Sequence, residues 1–249
     1  NIHGITIHRL LELNPDKDII NLHPEHVPNK LEKAKTVIVD EISMCRSDLF
    51  IWLSETLKLA EIKFKHPIQL VVVGDFYQLP PVLATLAEKE YFANGKVYAF
   101  KTAEWKSWHF KPVVLHQVIR QTNNEFSKAL TSIREGNTKY IHYLNSKSAK
   151  NPINKAITVV STNKEANTIN LKKVNSLQGN WKIYNSQVSG KINDQDKPTP
   201  DRIKLKVGAL VVFTANASDN TYTNGTLATV TQLSADYIKV KIENSSEEI

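Results

Sequence analysis

An α/β fold with buried parallel strands is the class this sequence predicts, and three observations carry that expectation. Residues 36–39 and 70–73 are unbroken apolar runs rich in β-branched side chains, which suits strands covered on both faces. Each run ends in acid where a strand would meet its loop, Asp40 and Glu41 after the first, Asp75 after the second. In open α/β sheets that edge is where ligands sit. Between the runs, Leu49, Phe50, Leu53 and Leu57 recur at helical spacing, so residues 46–60 are expected to form an amphipathic helix that covers the sheet, with Trp52 as packing.

The other elements follow in chain order. Residues 14–30 are polar, and His23 and His26 within them read as solvent-exposed rather than metal-ligating. Val113, Val114 and Leu115 read as a further strand leading to Arg120. A helix over about 124–135 should bury Phe126, Leu130 and Ile133 and stop at Gly136. Residues 157–160 read as a buried-type strand, after which Thr162 starts a helix and Glu165 completes a capping box. The lysine- and asparagine-rich stretch 190–200 reads as a linker or exposed loop. Beyond it the period shortens to that of strands at 210–213, 227–230 and 238–242, the last alternating Ile238, Val240 and Ile242 with Lys239 and Lys241. Asn224–Gly225 is a hairpin signal between two of them.

Adjacent acids at the end of a buried strand are costly unless a cation joins them. Asp40 and Glu41 therefore have two readings, a turn that caps the next helix, or a magnesium acid beside a water-activating base of the kind phosphoryl-transfer sites use. The second strand favours the latter. If the two strands are neighbours, Asp75, Gln78 and the stiff Pro80–Pro81 exit lie beside the acid pair. A glutamine there can hydrogen-bond both a γ-phosphate and the attacking water.

At this point the sequence resembles the superfamily 1 DNA helicases of the PIF/RecD-like branch. Residues 40–44 (DEISM) and 74–82 (GDFYQLPPV) look like that family's motifs II and III, and residues 4–9 (GITIHR) resemble motif Ia. Residues 118–121 (VIRQ), with Phe126, Leu130, Ile133, Arg134 and Gly136, resemble motif IV, while residues 161–170 and 208–225 are similar to later family segments. The resemblance implies incomplete RecA-like P-loop NTPase domains with a small C-terminal β-barrel: residues 1–117 as part of a first RecA-like domain, 118–200 as part of a second, and 201–249 as a barrel of the Src-homology type. It implies ATP and Mg²⁺ as cofactors, with Asp40 on the metal, Asp75, Gln78 and Arg120 also at the nucleotide, and Glu41, Gln78 and Arg120 in catalysis. Thr6, His8, Lys239 and Lys241 become candidates for DNA contact, although each taken singly is equally an ordinary surface or packing residue. Arg120 keeps a plain alternative too, a surface arginine paired with a nearby acid. Residues 14–30 fall where the family carries a small wedge domain, for which they are too short.

Two family features are missing. No G-x-x-x-x-G-K-[ST] phosphate loop occurs in the sequence, and motifs V and VI are not found. Met44 is the only methionine and the sequence opens on Asn1, so an internal piece of a longer protein is expected. The activity implied is ATP-driven translocation on single-stranded DNA, 5′→3′, with duplex unwinding. The alternatives are the helicase part of a RecD-type exonuclease subunit or conjugative relaxase, and a non-catalytic single-stranded nucleic-acid-binding module.

Composition fits this reading. At 249 residues with 41% hydrophobic content the chain can bury a sizeable core. A single cysteine, Cys45, rules out a disulfide framework and suggests a reducing, bacterial-type cytoplasmic setting. No apolar run approaches the roughly 20 residues of a membrane helix. A net charge of +7 favours a polyanionic partner, and a monomer is expected.

Overall fold

The computed structural model describes residues 4–14, 18–83, 85–119, 123–148, 157–188, 199–217, 219, 221–243, 245 and 248–249. The chain forms two compact units, residues 1–148 and 149–249. The expected break between residues 117 and 118 does not coincide with this division.

In the first unit the two apolar runs become β1 (Thr36–Val39) and β2 (Gln69–Val72), paired in parallel with Val37 opposite Leu70 and Val39 opposite Val72. The crossover is α2 (Ser47–Phe64), which buries Phe50, Leu53, Leu57 and Ala60 completely. Fully burying one such Leu or Phe contributes about 1.5–3 kcal/mol, so this stripe anchors the unit. Trp52 is buried, as its packing assignment requires. The ring of Phe50 meets Trp105 at 5.3 Å, and Trp108 donates from Nε1 to Ser54 Oγ at 2.8 Å, tying α4 (Ala103–Ser107) and the turn after it to α2. A short helix α1 (Ile7–Leu11) closes the core with Leu11.

Three expectations need correction here. Among the described residues β1 is covered on one face only: Val37 and Val39 are buried whereas Ile38 is 63% exposed. Residues 113–115 form no strand. They are exposed, with Leu115 at 89%, since a strand needs a neighbour to bond and none pairs with them among the described residues. In α5 (Asn124–Arg134) the buried side chains are the small Ala129 and Ser132, while Leu130 and Ile133 stay largely exposed and Phe126 is half-buried. The stripe is helical, as its spacing predicts, but the face that meets the unit lies one position round.

Residues 18–28 make no helix or strand. They are pinned by buried Ile19, by Tyr91 donating to Asn21 Oδ1 at 2.9 Å, and by His23 against Glu55 at 2.8 Å. His23 and His26 are exposed.

After a short α6 (Ile141–Ser146) in the first unit, the second unit starts from α7 (Asn163–Asn175), whose N-cap is Thr162, with its hydroxyl accepting from the Glu165 amide at 3.3 Å. Residues 157–160 before it form no strand, and Val159 is 91% exposed, for the same want of a pairing partner. β3 (Lys182–Asn185) and β4 (Arg202–Leu205) pair antiparallel. β5 (Leu210–Val212), β6 (Leu227–Leu233) and β7 (Ile238–Ile242) form a second antiparallel sheet in that order. Its core is Ala209, Ala228, Val230 and Val240, with Val174 and Leu177 packed on it. Gly225, at φ 90, makes the positive-φ turn that feeds β6. Among the described residues the strands make two separate sheets and do not close into a barrel. The stretch 189–198 lies outside the described residues.

Candidate active site

The parallel pairing of β1 and β2 brings the two acidic loops together. The ladder continues past both strands: Val73 donates to Val39 O at 2.8 Å, and Ile42 donates to Val73 O at 3.0 Å. Gly74 then passes so close to the Glu41–Ser43 turn that a Cβ on it would stand 2.9 Å from Ile42 N and 3.0 Å from Ile42 Cγ2. Only glycine fits that approach.

Glu41 itself occupies the left-handed region, φ 52 and ψ 43, between β1 and a single 3₁₀ turn over Ile42–Met44. A glutamate is uncommon there, and such strain collects at functional sites. Its amide donates to Asp40 Oδ1 at 2.9 Å, which fixes the aspartate's orientation while its other oxygen makes no hydrogen bond or ion pair among the described residues. Both acids are exposed. Ser43 Oγ, on the 3₁₀ turn that follows, is buried and has no hydrogen-bond partner among the described residues. Among the described residues no group of three His, Cys, Asp or Glu side chains gathers to hold a metal by itself. Two exposed carboxylates, one of them oriented by the Glu41 amide, fit Mg²⁺, which keeps much of its water and binds through one or two carboxylates and substrate phosphates.

The loop after β2 is a compact turn organised by Asp75. One carboxylate oxygen accepts from the Tyr77 amide at 3.0 Å and the other from Gln78 Nε2 at 3.4 Å, while the Gln78 amide donates to Asp75 O at 2.9 Å. Phe76, 37% exposed, meets Phe100 edge-on at 4.7 Å. Tyr77 turns outward and is 69% exposed. The strongest partner of Asp75 is Arg134, at the end of α5, which donates from Nε at 2.6 Å and from Nη2 at 2.9 Å. That guanidinium, helped by the amide bonds, holds the Asp75 carboxyl at about 2.

A second charged cluster secures the far end of this loop. Arg46, the N-cap of α2, grips Asp48 at 3.0 and 2.6 Å and also pairs with Glu88, its guanidinium lying 5.3 Å over the Phe92 ring. Glu88 in turn completes a capping box with Thr85 at the start of α3 (Leu86–Tyr91). The bond to Asp48 raises the Arg46 pKa further, and burial, above all, pushes the Cys45 thiol up to about 12, so this cysteine is an inert packing residue.

Of the other sequence candidates, Thr6 is exposed and caps α1, its hydroxyl accepting from the Arg9 amide at 3.2 Å. His8 is half-buried, and burial with the nearby Arg46 charge lowers its pKa, so it is neutral at pH 7. Lys239 and Lys241 point outward from β7. Arg120 lies outside the described residues. In the sequence Arg134 stands out only as part of a family motif, and neither Arg46 nor Glu88 belongs to one. The Thr85-x-x-Glu88 spacing is a capping-box signature and was there to be found.

The profile of the PIF1-like helicases matches residues 2–144, more than half of the 249. The chain belongs to the PIF1-like helicase family. The ATP-dependent DNA helicase Pif1 of Campylobacter jejuni is 30% identical across 90% of this chain and 55% of its own length. A crystal structure of Bacteroides Pif1 bound to single-stranded DNA superposes with a TM-score of 0.73 at 27% identity, over 99% of this chain and 60% of that one. A structure of two coordinating Pif1 helicases at forked double-stranded DNA gives a TM-score of 0.70 at 28% identity, over 99% and 61%. The α/β architecture is thus that of the Pif1 helicases, and the chain spans a little over half the length of these relatives.

Proposed function

We propose that the protein carrying this sequence is an ATP-dependent DNA helicase that moves 5′→3′ on single-stranded DNA and unwinds duplex ahead of it. The observation that carries this reading is the junction of the two acidic loops: a strained Glu41 beside an oriented Asp40, with the Gln78 turn pressed on it through Gly74. Asp40 would hold Mg²⁺, which would supply charge neutralisation to the nucleotide phosphates. Glu41 takes the proton of the attacking water, and the Gln78 amide, only loosely held by Asp75 at 3.4 Å, swings to water or phosphate. Arg120 supplies the positive charge that meets the developing transition state, and Thr6, His8, Lys239 and Lys241 contact the DNA strand. On this reading α7 opens the second RecA-like domain, and the strands of residues 201–249 belong to a small inserted barrel. A phosphate loop, which these 249 residues do not contain, completes the nucleotide site.

The test is Glu41→Gln in the longer protein. It keeps size and hydrogen bonding but removes the base, so ATP binding should persist while DNA-stimulated turnover falls roughly 10²-fold or more. Turnover within twofold of the parent would rule out the assigned role.

A further inference from the structure

We propose that Arg134 is a positioning residue for the Gln78 turn, so that α5 sets where the glutamine amide stands relative to the acid pair. The inference rests on the reading of Gln78 given above. Besides the backbone bond from the Gln78 amide to Asp75 O, the polar contacts of the turn converge on one carboxylate: Asp75 receives the Tyr77 amide at 3.0 Å, Gln78 Nε2 at 3.4 Å, and Arg134 through Nε at 2.6 Å and Nη2 at 2.9 Å. The arginine contacts are the shortest of these, and the fork is planar and two-pronged, so it fixes the carboxylate's plane as well as its position. The guanidinium also lies 4.8 Å over the ring of Tyr77, gripping the turn on a second side.

The consequence is a division of labour inside the turn. With Asp75 held by Arg134, its bond to Gln78 is the weak, exchangeable one, and the amide can leave for a phosphate or water without the turn collapsing. Asp75 therefore acts on the nucleotide through Gln78 and not as a ligand itself. The helix that supplies the arginine is lightly seated, with only Ala129 and Ser132 buried, so a modest shift of α5 would move the turn. That gives the segment following residue 120 a mechanical route to the hydrolysis site.

Two measurements test this. In the 249-residue chain, Arg134→Gln should speed amide hydrogen exchange at Tyr77 and Gln78 about tenfold, with Arg134→Lys rescuing poorly because it lacks the fork. Unchanged exchange at both amides overturns the proposal whatever the activity. In the longer protein, Arg134→Gln should lower kcat about tenfold with the Kd for a fluorescent ATP analogue unchanged, and should cause no further loss in a Gln78→Ala background. An equal loss in both backgrounds, or a lowered melting temperature with kcat per folded molecule intact, overturns it. The underlying reading fails separately, if Gln78→Ala alone leaves turnover unchanged.

Discussion

Glu41 holds a backbone conformation that costs an L-residue roughly 1–2 kcal/mol, and the structure imposes it because the chain must leave β1 and turn at once into the Ile42–Met44 turn. Gly74 is the reason this junction closes at all. Gly74→Ala would force a Cβ to within 2.9 Å of a backbone nitrogen, which cannot move aside as a flexible side chain could. An overpacked site of this kind loses about 1–3 kcal/mol, read as a lower denaturant midpoint at unchanged slope. A midpoint equal to the parent's would show that the two loops separate freely. Asp75 makes the complementary prediction about pH. Its pKa is depressed to about 2, so the stabilisation from Arg134 is fully present above the ordinary carboxylate range and is lost as pH falls through about 2. The Asp75 carboxyl carbon, followed by NMR, should titrate near there in the parent and move back toward about 3.9 in Arg134→Gln. The acids and glutamine were legible in the sequence because strand ends carry them at fixed spacing. The Arg134 partner was not, since it lies 59 residues away and only the tertiary fold brings it there.

At the scale of elements, local signals were read well where the local chain decides and poorly where pairing decides. α2 declared itself by its 3.6-residue stripe, and β1 and β2 by their β-branched runs. Residues 113–115 and 157–160 carry the same kind of run, yet a strand is made by its neighbour, and composition says nothing of whether one is there. The long turn before β6 shows a milder version: Asn224–Gly225 does precede the strand, but β5 ends at Val212, so the connection is far longer than a two-residue hairpin. The capping box of α3 is the element where a single side chain has a reach beyond its own helix, because Glu88 accepts from Thr85 with one carboxylate oxygen and pairs with Arg46 at the start of α2 with the other. Thr85→Ala should cost about 0.5–2 kcal/mol as a lost N-cap. Glu88→Ala should cost more, since it removes the box and also deprives the half-buried Arg46 of a partner. Thermal unfolding of the two variants decides this, and equal losses would mean that the Arg46 pair adds nothing.

For the whole molecule the question is what its positive charge does. With a net charge of +7, the 249-residue polypeptide is expected to bind single-stranded DNA through phosphates, weakly and without regard to sequence. It should do so without hydrolysing ATP, because the backbone amides and lysine of a phosphate loop are not among these residues. Lys239 and Lys241 stand on the exposed side of β7, two residues apart and therefore on one face of the sheet. If both contact phosphates, changing them to glutamine removes two displaced counterions per complex. The slope of log affinity against log salt for a single strand should then become shallower by about 1.4, from roughly 0.7 for each phosphate contact. Fluorescence anisotropy with a labelled oligonucleotide across a salt series reads that slope directly. A general loss of charge acting at a distance would lower affinity at low salt and leave little difference once the screening length falls to about 10 Å near 0.1 M. An unchanged slope would therefore take these two lysines out of the DNA path and leave the charge of the second unit as a solubility feature of its surface.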